Sequence, residues 1–427
     1  ADEMGLLYFE EPGAYHSGVD DFNRGILVEK TARMIKRDRS HPSLVIYNLI
    51  NEFFGDLLHN QPLINKRLND MREFHKIDET RFLLLCSGNT PGVSNQTGEE
   101  LHKTHMRPYD ETLYQVGWQD VHQAGAPETW KEGMYRGPDN LQGVKDYNPK
   151  DDYVTKEIWV RGEEGALSTP PRIEKIHNTI QQTGELGWDG LFWENQYSRY
   201  QRFFKEQNLY KYFGSIDKLT ELMGNVSMDH QARRITNFRM RNCGDMYAIN
   251  GWESEPYDNH SGVVDIYRNT KGDAKIMKEA NAPLLVAVKT RNQIVKSPAT
   301  AIVDFYIINE QVLPAGTYTL KAKMVGPTGA VVQTMPEKSV SVSGGDVYGE
   351  LLEQGVEFKI PEGGEGTYQV QAELTGGAET AKGHDEILAV KYTAADFKGA
   401  GAYYGSGSAV PHFYKTLTGN TLPQFTT

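Results

Sequence analysis

Asn51-Glu52 follows directly on the apolar run Leu44–Ile50 (LVIYNLI), and Phe53 and Phe54 come next. A carboxyl group partly enclosed by apolar neighbours has its pKa raised, which suits a general acid. An amide beside it can hold a hydroxyl group without titrating. Two further carboxylates, Glu10 and Glu11, stand just after the run Gly5–Phe9 (GLLYF). His105, Trp118, Asp120 and His122 add polar and aromatic groups further along. A lone histidine is more often structural than a ligand, and no HExxH or comparable spacing occurs, so no metal site is expected.

The elements that must carry these groups alternate in type. Gly5–Phe9, Leu44–Ile50, Phe82–Cys86, Glu157–Val160 and Met246–Gly251 read as short buried strands. Between them, Gly25–Lys36, Gln61–Lys76, Arg172–Thr183, Tyr200–Phe213 and Ile216–Met240 read as helices. Apolar strands separated by helices predict a parallel sheet covered by helices, and a (β/α) barrel fits. In such a barrel the carboxyl ends of the strands face the active site, which is where Asn51-Glu52 falls. The aromatic stretch Trp188–Tyr212 reads as packing of a long insertion, with a substrate subsite as its alternative.

From about residue 283 the period changes to two. Tyr318, Leu320, Ala322 and Met324 alternate with polar residues, as do Tyr368, Val370, Ala372 and Leu374. Pro314-Ala315-Gly316, Gly344-Gly345, Gly363-Gly364 and Gly376-Gly377 punctuate the strands. This predicts an immunoglobulin-like β-sandwich over 283–394, after an α/β barrel domain over 1–282. The remainder, 395–427, contains the loop Gly405-Ser406-Gly407-Ser408 without the rest of a dinucleotide fingerprint. It is expected to be a tail or the start of a further module.

Composition narrows the partners. The 427 residues carry a formal net charge of -12, which argues against nucleic acid and anionic membrane surfaces. No run of about 18 apolar residues is present to span a membrane. Two cysteines, Cys86 and Cys243, are too few for a disulfide framework or a zinc site and read as buried free thiols.

The segment Arg37-Asp38-Arg39-Ser40-His41-Pro42-Ser43, followed by the strand ending in Asn51-Glu52, resembles glycoside hydrolase family 2, the β-galactosidase type. Ser40 stands where that family usually has asparagine. The likeness extends upstream, where Ala1–Glu11 (ADEMGLLYFEE) is similar to the family's third barrel strand. Downstream, Gly262-Val263-Val264-Asp265 with Arg268 and Lys271 is similar to the segment that leaves the barrel. It covers roughly residues 1–290. By this resemblance the first two strands of a (β/α)8 TIM barrel are expected to lie outside the chain.

The resemblance implies a retaining hydrolase of β-glycosidic bonds, with an oligosaccharide or glycoside as substrate and no organic cofactor. Glu52 would be the acid/base. The nucleophile would end the seventh strand, in Glu157–Ala166 (EIWVRGEEGA), about 110 residues after Glu52, an interval that suits three βα units with elaborated loops. Glu163 is favoured there and Glu164 remains its alternative, with Arg161 at hand to keep either ionised. Asn51 would contact the sugar's 2-hydroxyl, and Trp252 would form part of the sugar platform. Two roles are equally open to Glu10 and Glu11 at the end of the third strand: binding sugar hydroxyls, or ion pairing with arginine. Two other readings share these features: a non-catalytic fragment that needs a complementing segment, and a carbohydrate-binding module.

Overall fold

The computed structural model describes residues 1–13, 21–51, 61–87, 118–123, 158–164, 168–184, 186–240, 246–249, 253–254, 262–391, 401–405 and 407–425. The chain divides into two compact units. One comprises Ala1–Leu285 with Ile307–Gly316 and Val342–Glu350; the other comprises Val286–Tyr306, Thr317–Ser341 and Leu351–Thr427.

The first unit is α/β. Strands β1 (Tyr8–Glu10), β2 (Leu44–Asn51) and β3 (Phe82–Ser87) form one sheet in that order, all parallel. Helices α1 (Asp21–Asp38) and α2 (Gln61–His75) connect them and cover one face. There Leu44, Tyr47 and Leu49 pack against Leu27, Met34, Ile35, Met71 and Phe74. A second parallel sheet holds β4 (Trp118–Gln123), β5 (Ile158–Glu164) and β6 (Met246–Ile249). The parallel pairing and the alternation of helix and strand are those the sequence predicts. A closed eight-stranded barrel goes beyond the described strands.

Between β5 and β6 lie α3 (Ile173–Thr183), α4 (Gly190–Glu206), the single turn α5 (Tyr210–Phe213) and α6 (Ile216–Arg239). Ile173, Ile176 and Ile180 share one face of α3, as spacings of three and four require. They bury against Trp193, Phe204 and Ile216. The aromatic stretch of α4 and α5 is therefore partly a packing element, while Trp188 and Tyr212 are exposed. The sequence places one helix over 200–213. Instead α4 begins at Gly190 and stops before Asn208, whose positive φ of 53° no helix accommodates. At the head of α6, Ser215 Oγ accepts from Lys218 N at 3.0 Å, capping the helix. Arg172 then ties α3 to α6, donating to both carboxylate oxygens of Asp217 at 2.7 and 2.5 Å and to the Thr270 carbonyl at 3.1 Å.

Two short strands follow, β7 (Glu253–Ser254) and β8 (Val264–Asp265), and Asp265 at the end of β8 is fully buried. It accepts from the backbone of Arg172, Tyr267 and Asn269 and from the Asn269 side chain. Burial pushes its carboxyl above the ordinary aspartate range despite these bonds. Lys271, also buried, donates to the Thr169 carbonyl at 2.8 Å, and burial lowers its ammonium pKa to about 8. The short helix α7 (Ala274–Ala280) follows, capped by Asp273 on Lys275 N.

The β-rich part has two sheets. β9 (Leu284–Thr290), β11 (Ala299–Asn309) and β15 (Gly349–Ile360) form one, in the order β15-β11-β9. The other runs through β10 (Ile294–Lys296), β17 (Ala381–Val390), β16 (Gly366–Thr375), β12 (Gly316–Val325) and β13 (Val331–Thr334), with β14 (Lys338–Val342) also on β12. The antiparallel register sets Leu320 opposite Leu374, Ala322 opposite Ala372 and Met324 opposite Val370. All six are buried, so the period-two pattern is the inner face of a β-sandwich. The two buried aspartates are both satisfied. Asp304 takes the Arg291 guanidinium and the Gly355 amide, and Asp385 takes the amide and hydroxyl of Thr290. In the tail, one bridge joins Tyr403 to Gln424, flanking helix α8 (Ala409–Thr418).

Gly224 of α6 and the loop at Lys271–Gly272 approach so closely that a Cβ on Gly224 would overlap the Lys271 carbonyl. Gly25 of α1 has open space around it. Gly224→Ala is expected to lower the unfolding free energy by about 3 kcal/mol. Gly25→Ala should raise it by about 0.5–1 kcal/mol through helix propensity. Urea midpoints read by circular dichroism check both.

Candidate functional site

Glu10 and Glu11 stand at the carboxyl end of β1, Asn51 at that of β2 and Ser87 at that of β3. Asn51 is level with Ser87 in the sheet, and Glu10 with Tyr47. Strand alternation sorts these groups. Tyr47 and Leu49 face the helices, so Asn48 between them belongs to the opposite face. Asn48 is fully buried, and its Nδ2 donates to Glu11 Oε1 at 2.7 Å. At the end of β2, Asn51 Oδ1 is buried and has no hydrogen-bond partner among the described residues. A buried acceptor left in that state costs about 1–3 kcal/mol, and a ligand hydroxyl is one group that can relieve it.

Glu10 has a different environment. Its Oε1 accepts from Arg37 Nη2 at 3.0 Å, and Arg37 also holds Asp38 through Nε at 2.8 Å. Burial, and then the neighbouring Asp38, push the Glu10 carboxyl up to about 7. Arg37 holds Asp38 below its ordinary value. Of the two roles the sequence leaves open for these glutamates, Glu10 therefore pairs with arginine and Glu11 with a buried amide.

The charged motif that precedes β2 lies at the other end of the strands. Asp2 Oδ2 meets His41 Nδ1 at 2.6 Å, and Asp2 Oδ1 accepts the Ser43 amide at 2.9 Å. These bonds, Ser43's first, hold the Asp2 carboxyl well below the usual carboxylate range. Tyr8 N donates to the Ser43 carbonyl, Arg81 to the carbonyls of Arg39 and His41, and Arg39 to that of Ile77. The amino ends of β1, β2 and β3 are thus tied to one another. Pinning at Asp2 also explains why β1 starts at Tyr8 rather than Gly5: the residues before it form a turn, Asp2–Met4.

In the second sheet, β4 is an element that sequence periodicity does not reveal. Trp118, Asp120 and His122, noted only as scattered polar groups, belong to it. Its backbone pairs His122 with Glu163 and Gln123 with Glu164, while Glu164 is level with Ile249 of β6. Both neighbours register a shift in β5, one between Val160 and Glu163 and the other between Arg161 and Glu164. The extra residue common to the two is Gly162, so a bulge precedes the Glu163-Glu164 pair. Glu52, Trp252, His105 and Cys243 lie outside the described residues, and with Glu52 so does the separation of the carboxylate pair. Among the described residues, no group of three or more His, Cys, Asp or Glu side chains is placed to hold a metal ion, and no helix is long and apolar enough to cross a membrane.

No family model matches the chain, and no curated protein matches it in sequence. Solved structures do. A β-D-mannosidase from Dictyoglomus thermophilum superposes with a TM-score of 0.52 at 13% identity, over 90% of this chain and 43% of that one. An exo-chitosanase, CsxA, from Amycolatopsis orientalis gives 0.42 at 14% identity, over 86% of this chain and 39% of that one. A Bacteroides uniformis β-glucuronidase gives 0.40 at 11%, over 92% and 40%. The mannosidase likeness establishes a shared fold, an α/β part with a β-sandwich. The chain spans less than half the length of each of these proteins.

With Glu10 at about 7 in the folded chain and about 4.5 when unfolded, the native state keeps its proton after the unfolded state has lost it. Stability is therefore expected to fall as pH rises from about 4.5 through about 7, and to lose nothing more from this group above that. Glu10→Gln keeps an acceptor for Arg37 and carries no titrating proton. Urea titrations at intervals from pH 5 to 8 should show a flatter stability profile for Glu10→Gln than for the parent.

Proposed function

We propose that the chain is the greater part of the catalytic domain of a retaining glycoside hydrolase of β-linked substrates, an eight-stranded barrel of the family 2 type, with a β-sandwich after it. The observation that carries this reading is the buried Oδ1 of Asn51, without a partner among the described residues, at the carboxyl end of a parallel strand. Ligands of α/β sheets bind beyond the carboxyl ends of the strands. The Glu163-Glu164 pair closes β5, flanked on both sides by parallel partners, at the same kind of end. The shared fold with a β-D-mannosidase supports the same class of chemistry.

In this mechanism Glu52, protonated, gives its proton to the glycosidic oxygen as the bond to the anomeric carbon breaks. Glu163 attacks that carbon with its carboxylate and forms a covalent glycosyl-enzyme. Glu52, now ionised, takes a proton from water, the hydroxide displaces Glu163, and both carboxyls return to their starting states. The two groups must approach to about 5–5.5 Å. Asn51 would donate its amide N–H or accept from the sugar's 2-hydroxyl, and Trp252 would stack on the ring's C–H face.

A panel of p-nitrophenyl and alkyl β-D-glycosides tests the assignment. Glu52→Gln should abolish cleavage of alkyl glycosides, whose leaving group needs a proton, while sparing p-nitrophenyl glycosides to a larger degree. Equal loss on both kinds counts against an acid role. Labelling with a 2-fluoro glycoside and mapping the modified peptide by mass spectrometry should find the sugar on Glu163. Label on Glu164 would keep the mechanism and change the nucleophile. A chain that neither turns over nor binds any glycoside is not a hydrolase in this form.

A further inference from the structure

Asn48 sits in the middle of a strand whose neighbours are Tyr47 and Leu49, in a sheet paired in parallel on both sides. Such strands favour apolar residues, because an amide is costly to bury and must be matched by hydrogen bonds. Packing alone would select valine or leucine here. The bond that Asn48 makes instead goes to a carboxylate at the end of the adjacent strand, Glu11, which is only half-buried. Asn48 and Glu11 share the face turned away from α1 and α2.

We propose that Asn48 is a positioning residue for the sugar site. By donating to Glu11 Oε1 it fixes that carboxylate at the carboxyl end of β1, as an acceptor for hydroxyl groups of the bound sugar ring. The inference rests on the hydrolase reading above and adds to it a pair, one member binding and the other orienting. A neutral amide suits the orienting role, because it donates one N–H to the carboxylate without offering a charge to compete for it. A side chain that only filled space would have no reason to meet Glu11 at 2.7 Å.

The test is steady-state kinetics of the full chain on the p-nitrophenyl β-D-glycoside it cleaves fastest, with Glu11→Gln, Asn48→Ser, their double variant and Asn48→Asp. Glu11→Gln and Asn48→Ser are each expected to raise KM about tenfold with a smaller change in kcat, and the double variant to do no worse than Glu11→Gln alone. Asn48→Asp keeps the shape and changes the chemistry. The contact of the introduced carboxyl group with Glu11 then survives only when the two acids share a proton. Its KM should lie near the parent's at pH 5 and about tenfold above it at pH 8. Glu10, which faces Arg37 and Asp38, titrates in the same range but is present in every variant, so the ratio to the parent cancels it. Additive effects in the double variant, or folded variants with the parent's KM at every pH, overturn the proposal and leave the hydrolase reading intact. If Asn48→Ser fails to fold by circular dichroism, the pH dependence of Asn48→Asp decides alone. A parent that neither cleaves nor binds the glycosides by calorimetry overturns the hydrolase reading, and this proposal with it.

Discussion

β2 is hydrogen-bonded along both edges, to β1 and to β3, and both pairings are parallel. The α/β site depends on that constraint. It leaves no freedom of register, because side chains alternate with period two and a slip of one residue exchanges the two faces. Were β2 to slip, Asn48 would enter the layer where Leu27, Ile35 and Phe74 pack, and Tyr47 would leave it. Tyr47 would also lose the bond from its hydroxyl to Asp78 Oδ2 at 3.1 Å. The apolar contacts on one face therefore hold the polar groups on the other. Asn48, and through it Glu11, is placed by the residues packed on the opposite face.

The two ends of the same strands have separate tasks. At the amino ends, Asp2, Arg39, His41, Ser43 and Arg81 bind one another and the local carbonyls, and their polar atoms are largely spent on each other. At the carboxyl end of β2 a buried acceptor stands without a partner among the described residues. A buried acceptor in that state is one that a ligand hydroxyl can satisfy. The charged motif through which the chain resembles a hydrolase family is accordingly part of the frame. It lies at the amino end of the strand that follows it, at the opposite end from Asn51.

Much of this fold was legible in the sequence, for a physical reason. LVIYNLI, FLLLC and the alternating strands of the sandwich carry their burial in their composition. Isoleucines 173, 176 and 180 carry a helix face in their spacing. β4 was not legible, because Trp118–Gln123 has one aliphatic residue among polar ones and is a strand only by virtue of its pairing with β5. Tertiary pairing overrides local propensity there. The separate environments of Glu10 and Glu11 were hidden for a similar reason. Adjacent strand residues face opposite sides, and which side meets Arg37 and which meets Asn48 depends on partners 27 and 37 positions away. Asn48 itself reads in the sequence as one polar letter in an apolar run, and its meaning lies wholly in its neighbour.

Gly162 shows how far one residue can shift such a reading. Counting by twos along β5 from Trp159 would assign Glu163 and Glu164 to definite faces if the strand were regular. It is not: both neighbouring strands register one extra residue at Gly162, and past a bulge the count changes sign. Glycine lowers the cost of the conformations a bulge requires, having no Cβ to clash. Bulges recur beside active sites because they re-aim a side chain without moving the strand. In EIWVRGEEGA two consecutive glutamates follow that glycine directly, so the alternation counted from Trp159 does not carry through to them.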